Sequence, residues 1–350
     1  MPDLPAPSAP GRRGLLRATA VGLAAAALST GSSRTVATAA PAGTSETVAP
    51  GSSIQAAIDR GVTTVLLTAG TYPVTAPIVP SRGCTIRGVG QATRIRATAG
   101  MPTVIDVGSK GAIDGVMIAD LVVDANEQAT CGIRLNIVGT TGNLLGEPDA
   151  ATRLDNLWVF ATIRDGIVYE GPDTQATVTT RVRVRRAGGN GFTVLSPDNV
   201  FLACEATTSE TTGQHGFVVG SANCHFHACK AWFCRGYGWH VRGARNSFIG
   251  CESQDTRLHG WYIEYDKNTF TGCLADSAGA PEVGGTINTS DGFHVVTDRY
   301  TTLTGCLSFD RRPQDRPAAQ RYGFNLPRAL GGLAVANTGW NNLSETINLR

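Results

Sequence analysis

Hydrophobic and polar residues alternate along this chain in short runs of three to five. From Asn190 to Leu326 the runs recur on a fixed period. Gly191-Phe192, Gly216-Phe217, Gly238-Trp239, Gly260-Trp261, Gly292-Phe293 and Gly323-Phe324 lie 25, 22, 22, 32 and 31 residues apart. A second mark keeps pace: Cys204, Cys229, Cys251, Cys273 and Cys306 recur at 25, 22, 22 and 33, closing the runs FLAC, FHAC, FIGC, FTGC and LTGC. Alternation by two predicts strands, and a period of about 22 residues is too short for paired helices. Two markers on one period predict stacked copies of one unit that cannot bury its apolar face alone. The two longer intervals require only inserted loops, at 277–290 and 310–321.

The pattern weakens towards both ends but keeps its sense. Residues 51–61, GSSIQAAIDRG, predict a short helix capped by Ser52 or Ser53, with Ile54, Ala57 and Ile58 on one face and Gly61 ending it. Residues 63–74 predict strand, turn and strand. Less regular runs follow at 84–88, 103–107, 116–123 and 132–135, with a polar insert at 139–152. Gly166-Ile167-Val168-Tyr169 restores the register 25 residues before Gly191. Residues 337–350 are expected to cover the C-terminal end. The chain therefore divides into residues 1–40, a linker at 41–50 and one solenoid domain over 51–350.

A solenoid with a packed interior must carry its chemistry on outward positions. After each repeat glycine the aromatic points in, the next residue out and the following Val, Ile or Leu in. The first outward column then reads Thr193, Val218, His240, Tyr262, His294, Asn325, and the second Leu195, Gly220, Arg242, Glu264, Val296. Tyr237, His259 and Asp291 lie just before the glycines at the edge of the same face. His240, Tyr262, His294, Glu264, Asp291 and His259 are the candidate catalytic groups, because such a cluster supplies a base, an acid and a partner to orient them. Arg242 and Tyr237, with Lys267, Arg299, Arg311 and Arg316 near the same rungs, are candidate substrate-binding residues, supplying cations for negative charge.

These repeats resemble the rungs of right-handed parallel β-helix proteins of the pectate-lyase-like superfamily. The resemblance rests on the glycine–aromatic strand, on Asn199, Asn246 and Asn268 each preceding a short apolar strand, and on the small-residue-then-Cys turn. It implies an all-β fold, a single right-handed parallel β-helix whose N-terminal helix closes the first rung, and it allows homotrimers. Arg311-Arg312-Pro313-Gln314-Asp315-Arg316 fits the R-x-P-x-x-R pattern of many pectate lyases, where the first Arg is implied to remove the proton α to a uronate carboxylate. That family's W-I-D-H segment and calcium-binding Asp cluster are not found. Asn288-Thr289-Ser290-Asp291 and Gln214-His215-Gly216 are similar to pieces of polygalacturonase motifs, but in reversed order.

Composition adjusts this picture in three ways. The formal charge is +2, but residues 1–40 hold four Arg and one acid, and the remainder carries 26 basic against 27 acidic residues. Nucleic acid is therefore not an expected partner. Arg12-Arg13 followed by an Ala/Leu run and Ala37-Thr38-Ala39 predict an export signal similar to the twin-arginine type. No later window is apolar enough to span a membrane. Nine cysteines in an exported chain would permit disulfides, but five share one repeat position and read as a ladder of buried thiols. Cys224-His225-Phe226-His227-Ala228-Cys229 with Cys234 lacks CxxC spacing, so no cofactor is expected and a divalent metal is unsupported. Two functions follow as expectations: an exported carbohydrate-active enzyme that cleaves a polysaccharide or other glycan by β-elimination or hydrolysis, or a non-catalytic glycan-binding or surface-structural β-helix. Small-metabolite chemistry on the same fold is a third.

Overall fold

The computed structural model describes residues 43–136, 151–171, 177–208, 210–297, 299–312 and 318–350. The expected export signal, most of the 139–152 insert and Arg316 lie outside the described residues. Residues 43–350 belong to one compact unit. Its strands pair in parallel throughout, in one sheet of 21 strands and one of 10.

In the regular region each rung gives two short strands to the large sheet and one to the small sheet. The rung beginning at Val200 is representative, with strands Val200–Leu202, Glu205–Thr208 and Phe217–Val219. In the small sheet Phe192, Phe217, Trp239, Trp261, Phe293 and Phe324 are successive register partners. Their rings stack, with centroids 4.0 Å apart for Phe217–Trp239 and 4.8 Å for Trp239–Trp261. A second ladder, Phe201, Phe226, Phe248 and Phe270, stacks along the large sheet and meets the first edge-on. All these rings are fully buried, so the repeating aromatic is the core itself.

The glycine before each aromatic is required by the spacing of the rungs. A Cβ on Gly238 would lie 2.8 Å from the Gly260 carbonyl oxygen and 2.0 Å from Ser253 Oγ; one on Gly260 would lie 2.7 Å from the Gly292 carbonyl oxygen. No left-handed backbone is involved. The small residue before each ladder cysteine has a different cause. Ala203, Ala228, Gly250, Gly272 and Gly305 all have φ between 50° and 61°, the left-handed region in which small residues strain least. All nine cysteines are unbridged and buried. Cys251 and Cys273 donate their thiols to the Phe226 and Phe248 carbonyls of the preceding rung, at 3.3 and 3.4 Å. The asparagines form a third ladder: Asn246 Oδ1 accepts from Cys224 N and Asn268 Oδ1 from Asn246 N, both at 2.9 Å. Each thereby satisfies a buried backbone donor at a bend between strands.

The N-terminal helix is Ile54–Asp59; Ser53 caps it, and Ile54, Ala57 and Ile58 are buried beneath it. The linker expected at 41–50 needs correction, because its strand Ser45–Val48 pairs in parallel with Thr64–Leu67 and belongs to the solenoid. At the other end residues 337–350 form strands Thr338–Trp340 and Ile347–Leu349, which pair with Leu307–Phe309 and Phe324–Leu326 as a further rung lying over the one before it. The repeat continues because the backbone ladder extends without the glycine–aromatic mark. The 277–290 insertion carries a short 3-10 turn, Pro281–Val283, and meets the second insertion where Asn288 N donates to the Ala319 carbonyl.

Candidate functional site

The outward column is in register: Thr193, Val218, His240, Tyr262, His294 and Asn325 are successive partners across the small sheet. Only its middle reaches solvent. Thr193, Val218 and Asn325 are buried, because neighbours cover them; Thr193 Oγ1, for one, donates to Asp165. His240, Tyr262 and His294 are half-buried and join Tyr237 and His259 in one aromatic cluster. Tyr262 stacks on Tyr237 at 4.6 Å and on His294 at 5.4 Å, and His259 stacks on His294 at 4.4 Å.

The histidines differ in which ring nitrogen is engaged. His259 Nδ1 accepts from the Asp291 backbone N–H at 2.9 Å, and His215 Nδ1 accepts in the same way from Tyr237 N. Both rings therefore carry their proton on Nε2. Burial, reinforced by a neighbouring histidine, lowers each to about 4, so both are neutral at ordinary pH. His294 is the reverse. Its Nδ1 lies 2.7 Å from Asp291 Oδ2, a carboxylate that can only accept, so Nδ1 carries the proton and the Nε2 lone pair is left for chemistry. His215 was legible only as part of a Gln-His-Gly fragment, and its role as a buried acceptor follows from its place one rung before Tyr237.

Asp291 is fully buried, and this changes its role. Arg321 donates to both carboxylate oxygens at 2.8 Å, and Asn325 Nδ2 donates to Oδ2 at 2.8 Å. Burial alone would raise this carboxyl; the hydrogen bonds from His294, Arg321 and Asn325 outweigh it and hold it far below the usual range. A group so placed cannot deliver a proton. Asp291 orients His294 rather than acting as the acid expected of it. Asn325, which with Arg321 completes this arrangement, was read only as the last member of the outward column, and Arg321 was not singled out; its signal was its place one rung after Asp291.

Glu264 carries the exposed carboxylate of the cluster. Its Oε2 is 3.2 Å from His240 Nε2 and 3.8 Å from Arg242 Nε. The approach to His240 is off the hydrogen-bond line, and Nε2 has no hydrogen-bond partner. Burial lowers His240, and Glu264 partly opposes it. Burial raises the Tyr237 phenol, with Tyr262 and Glu264 adding to the effect. Lys267 and Glu264 line a shallow depression beside the cluster, and Arg299 is exposed on the adjoining bend.

Arg311 lies elsewhere. It follows the strand Leu307–Phe309 of the large sheet and pairs with Asp255 and, at 3.1 Å, with Asp276. Burial would lower its guanidinium, but the two carboxylates outweigh this and raise it, which removes it as a proton acceptor. Its motif match reflects a structural ion-pair network. The Cys224–Cys234 segment does not converge either: its cysteines point into the core while His225 is exposed. Ligand atoms of His259, Asp291 and His294 do lie within 4.8 Å of one another. They do not fit a metal ion, because the Arg321 guanidinium already occupies both Asp291 oxygens and would repel a second cation.

No family model and no curated protein matches the chain. Solved structures do. The A-module of mannuronan C-5 epimerase AlgE4 from Azotobacter vinelandii superposes with a TM-score of 0.54 at 15% identity, over 85% of this chain and 92% of that one. The fold is a right-handed parallel β-helix. The catalytic domain of a GH87 α-1,3-glucanase in complex with nigerose gives 0.54 at 15% identity, covering 88% and 68%. The enzymatically active domain of tailspike protein 2 from bacteriophage CBA120 gives 0.54 at 14%, covering 73% of this chain and 39% of that one. The resemblance drawn from the repeats therefore holds for the fold, and two of these neighbours, the mannuronan epimerase and the α-1,3-glucanase, are carbohydrate-active enzymes.

Proposed function

We propose that the protein is an exported enzyme that acts on an acidic polysaccharide by abstracting the proton α to a uronate carboxylate. The single observation behind this reading is the Asp291–His294 pair, which leaves His294 Nε2 as a base beside Tyr262 on an open face. His294 takes the α-proton, the electron pair forms the C=C bond, and the β C–O bond to the neighbouring sugar breaks. Tyr262 protonates the leaving oxygen and is restored by the imidazolium through solvent. Arg242 neutralises the uronate carboxylate, with Lys267 and Arg299 along the chain's path. The neutral Nε2–H of His259 is placed to donate to developing negative charge.

Hydrolysis is less well served. Glycoside hydrolysis ordinarily needs two carboxyl groups across the scissile bond. This face offers Glu264, because Asp291 is buried and ion-paired. A second reading, C-5 epimerisation, shares the first step and differs only in returning a proton to the other face without bond cleavage. The epimerase among the similar folds favours keeping it.

The deciding experiment incubates residues 40–350 with uronate and neutral polysaccharides, following ultraviolet absorbance of unsaturated product and reducing ends separately. Absorbance on a uronate polymer supports elimination. Solvent-hydrogen exchange without absorbance supports epimerisation. Reducing ends alone would transfer the chemistry to Glu264, and silence on every polymer would leave glycan binding as the function.

A further inference from the structure

A second groove, of about 890 Å³, runs along the bend that leads from the large sheet into the catalytic face. Trp232, Phe233, Arg185 and Arg235 line it together with Glu210 and with Glu127 and Glu282, whose carboxylates pair with Arg186 and Arg312. Three observations bear on what it could hold.

Phe233 is 39% exposed and sits at φ 50°, a left-handed conformation that bulky residues rarely adopt. Asp255 and Ser277 hold the same place in the next two rungs, and each uses its polar side chain in local hydrogen bonds. A phenylalanine there has no such use, and it presents its ring to the groove at the cost of backbone strain.

The groove also has donors without acceptors. The Trp232 indole N–H and Arg185 Nη1 are buried with no hydrogen-bond partner, whereas the indoles of Trp239 and Trp261 donate to the Glu252 and Leu274 carbonyls at 3.0 Å. Arg185 stacks on Trp232 at 4.7 Å and spends Nη2 on Glu205. Arg235 Nη1 donates to a carbonyl, that of Glu210, and no carboxylate pairs with it among the described residues. Buried unpaired donors are costly, and a ligand bearing anionic oxygen would relieve them after a small side-chain shift.

Phe233 is also only four residues from Tyr237, so the groove and the catalytic cluster lie at most ~14 Å apart along the backbone. One oligosaccharide can reach both.

From these features we infer that the Trp232–Phe233 groove is a second saccharide-binding site, selective for sugars carrying an anionic group. Phe233 offers an apolar face to the pyranose ring, and Arg185, Arg235 and the Trp232 indole hold the anion. The inference concerns binding and stands apart from the reaction proposed for His294.

The test uses the His294→Ala protein, so that ligand is not consumed, and titrates it calorimetrically with three oligosaccharides of equal length: a uronate, a sulfated and a neutral one. The acidic oligosaccharides are expected to bind; Trp232→Phe should weaken them about tenfold, as loss of a hydrogen bond to a charged group does, and Phe233→Ala by about as much through loss of the apolar face. Trp232→Phe removes the indole N–H and keeps a smaller aromatic ring, so a loss of affinity confined to the acidic sugars reports on donation rather than packing. Tighter binding of the uronate identifies carboxylate as the anion; tighter binding of the sulfated sugar identifies a sulfate ester. Unchanged affinity in both variants, equal affinity for the neutral sugar, or no binding of either acidic sugar overturns the inference. Groove-dependent binding in a protein that makes no product would instead overturn the proposed reaction alone. In an active protein, both groove variants should raise KM for long polymer and leave kcat on short oligomers unchanged.

Discussion

Asp291 and His294 form the pair on which the proposed chemistry turns, and their contacts make it testable one atom at a time. His294→Ala should lower turnover by about 10²–10⁴-fold with folding intact, because the side chain lies on the outer face. Asp291→Asn should do nearly as much by offering an N–H where an acceptor is needed, which reverses the His294 tautomer. It should also destabilise, by about 3–5 kcal/mol, since Arg321 loses its buried partner. An Asp291→Asn protein with wild-type turnover would remove the dyad from the mechanism. The other histidines predict a pH dependence of stability. His215 and His259 are lowered to about 4 in the folded protein, so between pH 6.5 and 4 the unfolded chain binds more protons than the folded one. Stability should therefore be full above pH 6.5 and fall as pH drops through this window, by up to about 3 kcal/mol per histidine. Asp291, whose carboxyl is also held low, adds a further loss below about pH 4. Urea midpoints across pH measure this, and a flat profile from 7 to 4 would show that the two imidazoles are not held neutral.

At the scale of the strand, the glycine–aromatic step should behave as two separable constraints. Trp239→Ala opens a void in the stacked core and should cost about 3–5 kcal/mol. Gly260→Ala adds a methyl group against the Gly292 carbonyl and should cost about 1–3 kcal/mol by overpacking, despite adding apolar surface. Equal stability of the alanine variant in chemical denaturation would refute the close-approach account. This step is also why the fold could be read from the chain. The inward aromatic and the cysteine each repeat once per rung, the asparagine in several rungs, and stacking forces equivalent residues into contact. The candidate site was legible only in part. Alternation placed His240, Tyr262 and His294 on one face correctly, because direction along a strand is a local property. Which side chains remain accessible is decided between rungs. Thr193 is covered by Asp165 and Asp291 is enclosed by Arg321, partners 28 and 30 residues away that no local pattern marks. Arg311 fails for the same reason: its motif is local, whereas its partners Asp255 and Asp276 come from two earlier rungs.

For the molecule as a whole, strands pair only with those of neighbouring rungs, longer reaches such as Arg311 to Asp255 being side-chain contacts, and stability is close to a sum along one axis. Opening should then begin at the ends and move inward. The nine unbridged, buried cysteines are spread along that axis from Cys84 to Cys306, and burial pushes several thiols up, Cys84 to about 11 and Cys224 and Cys234 to about 12. Burial keeps all nine from an alkylating reagent while the rungs are closed. The chain thus carries an internal clock. Pulse alkylation under mild denaturant, read by peptide mass, should label Cys84 and Cys306 before Cys229 and Cys251, timing the loss of each rung without an added probe.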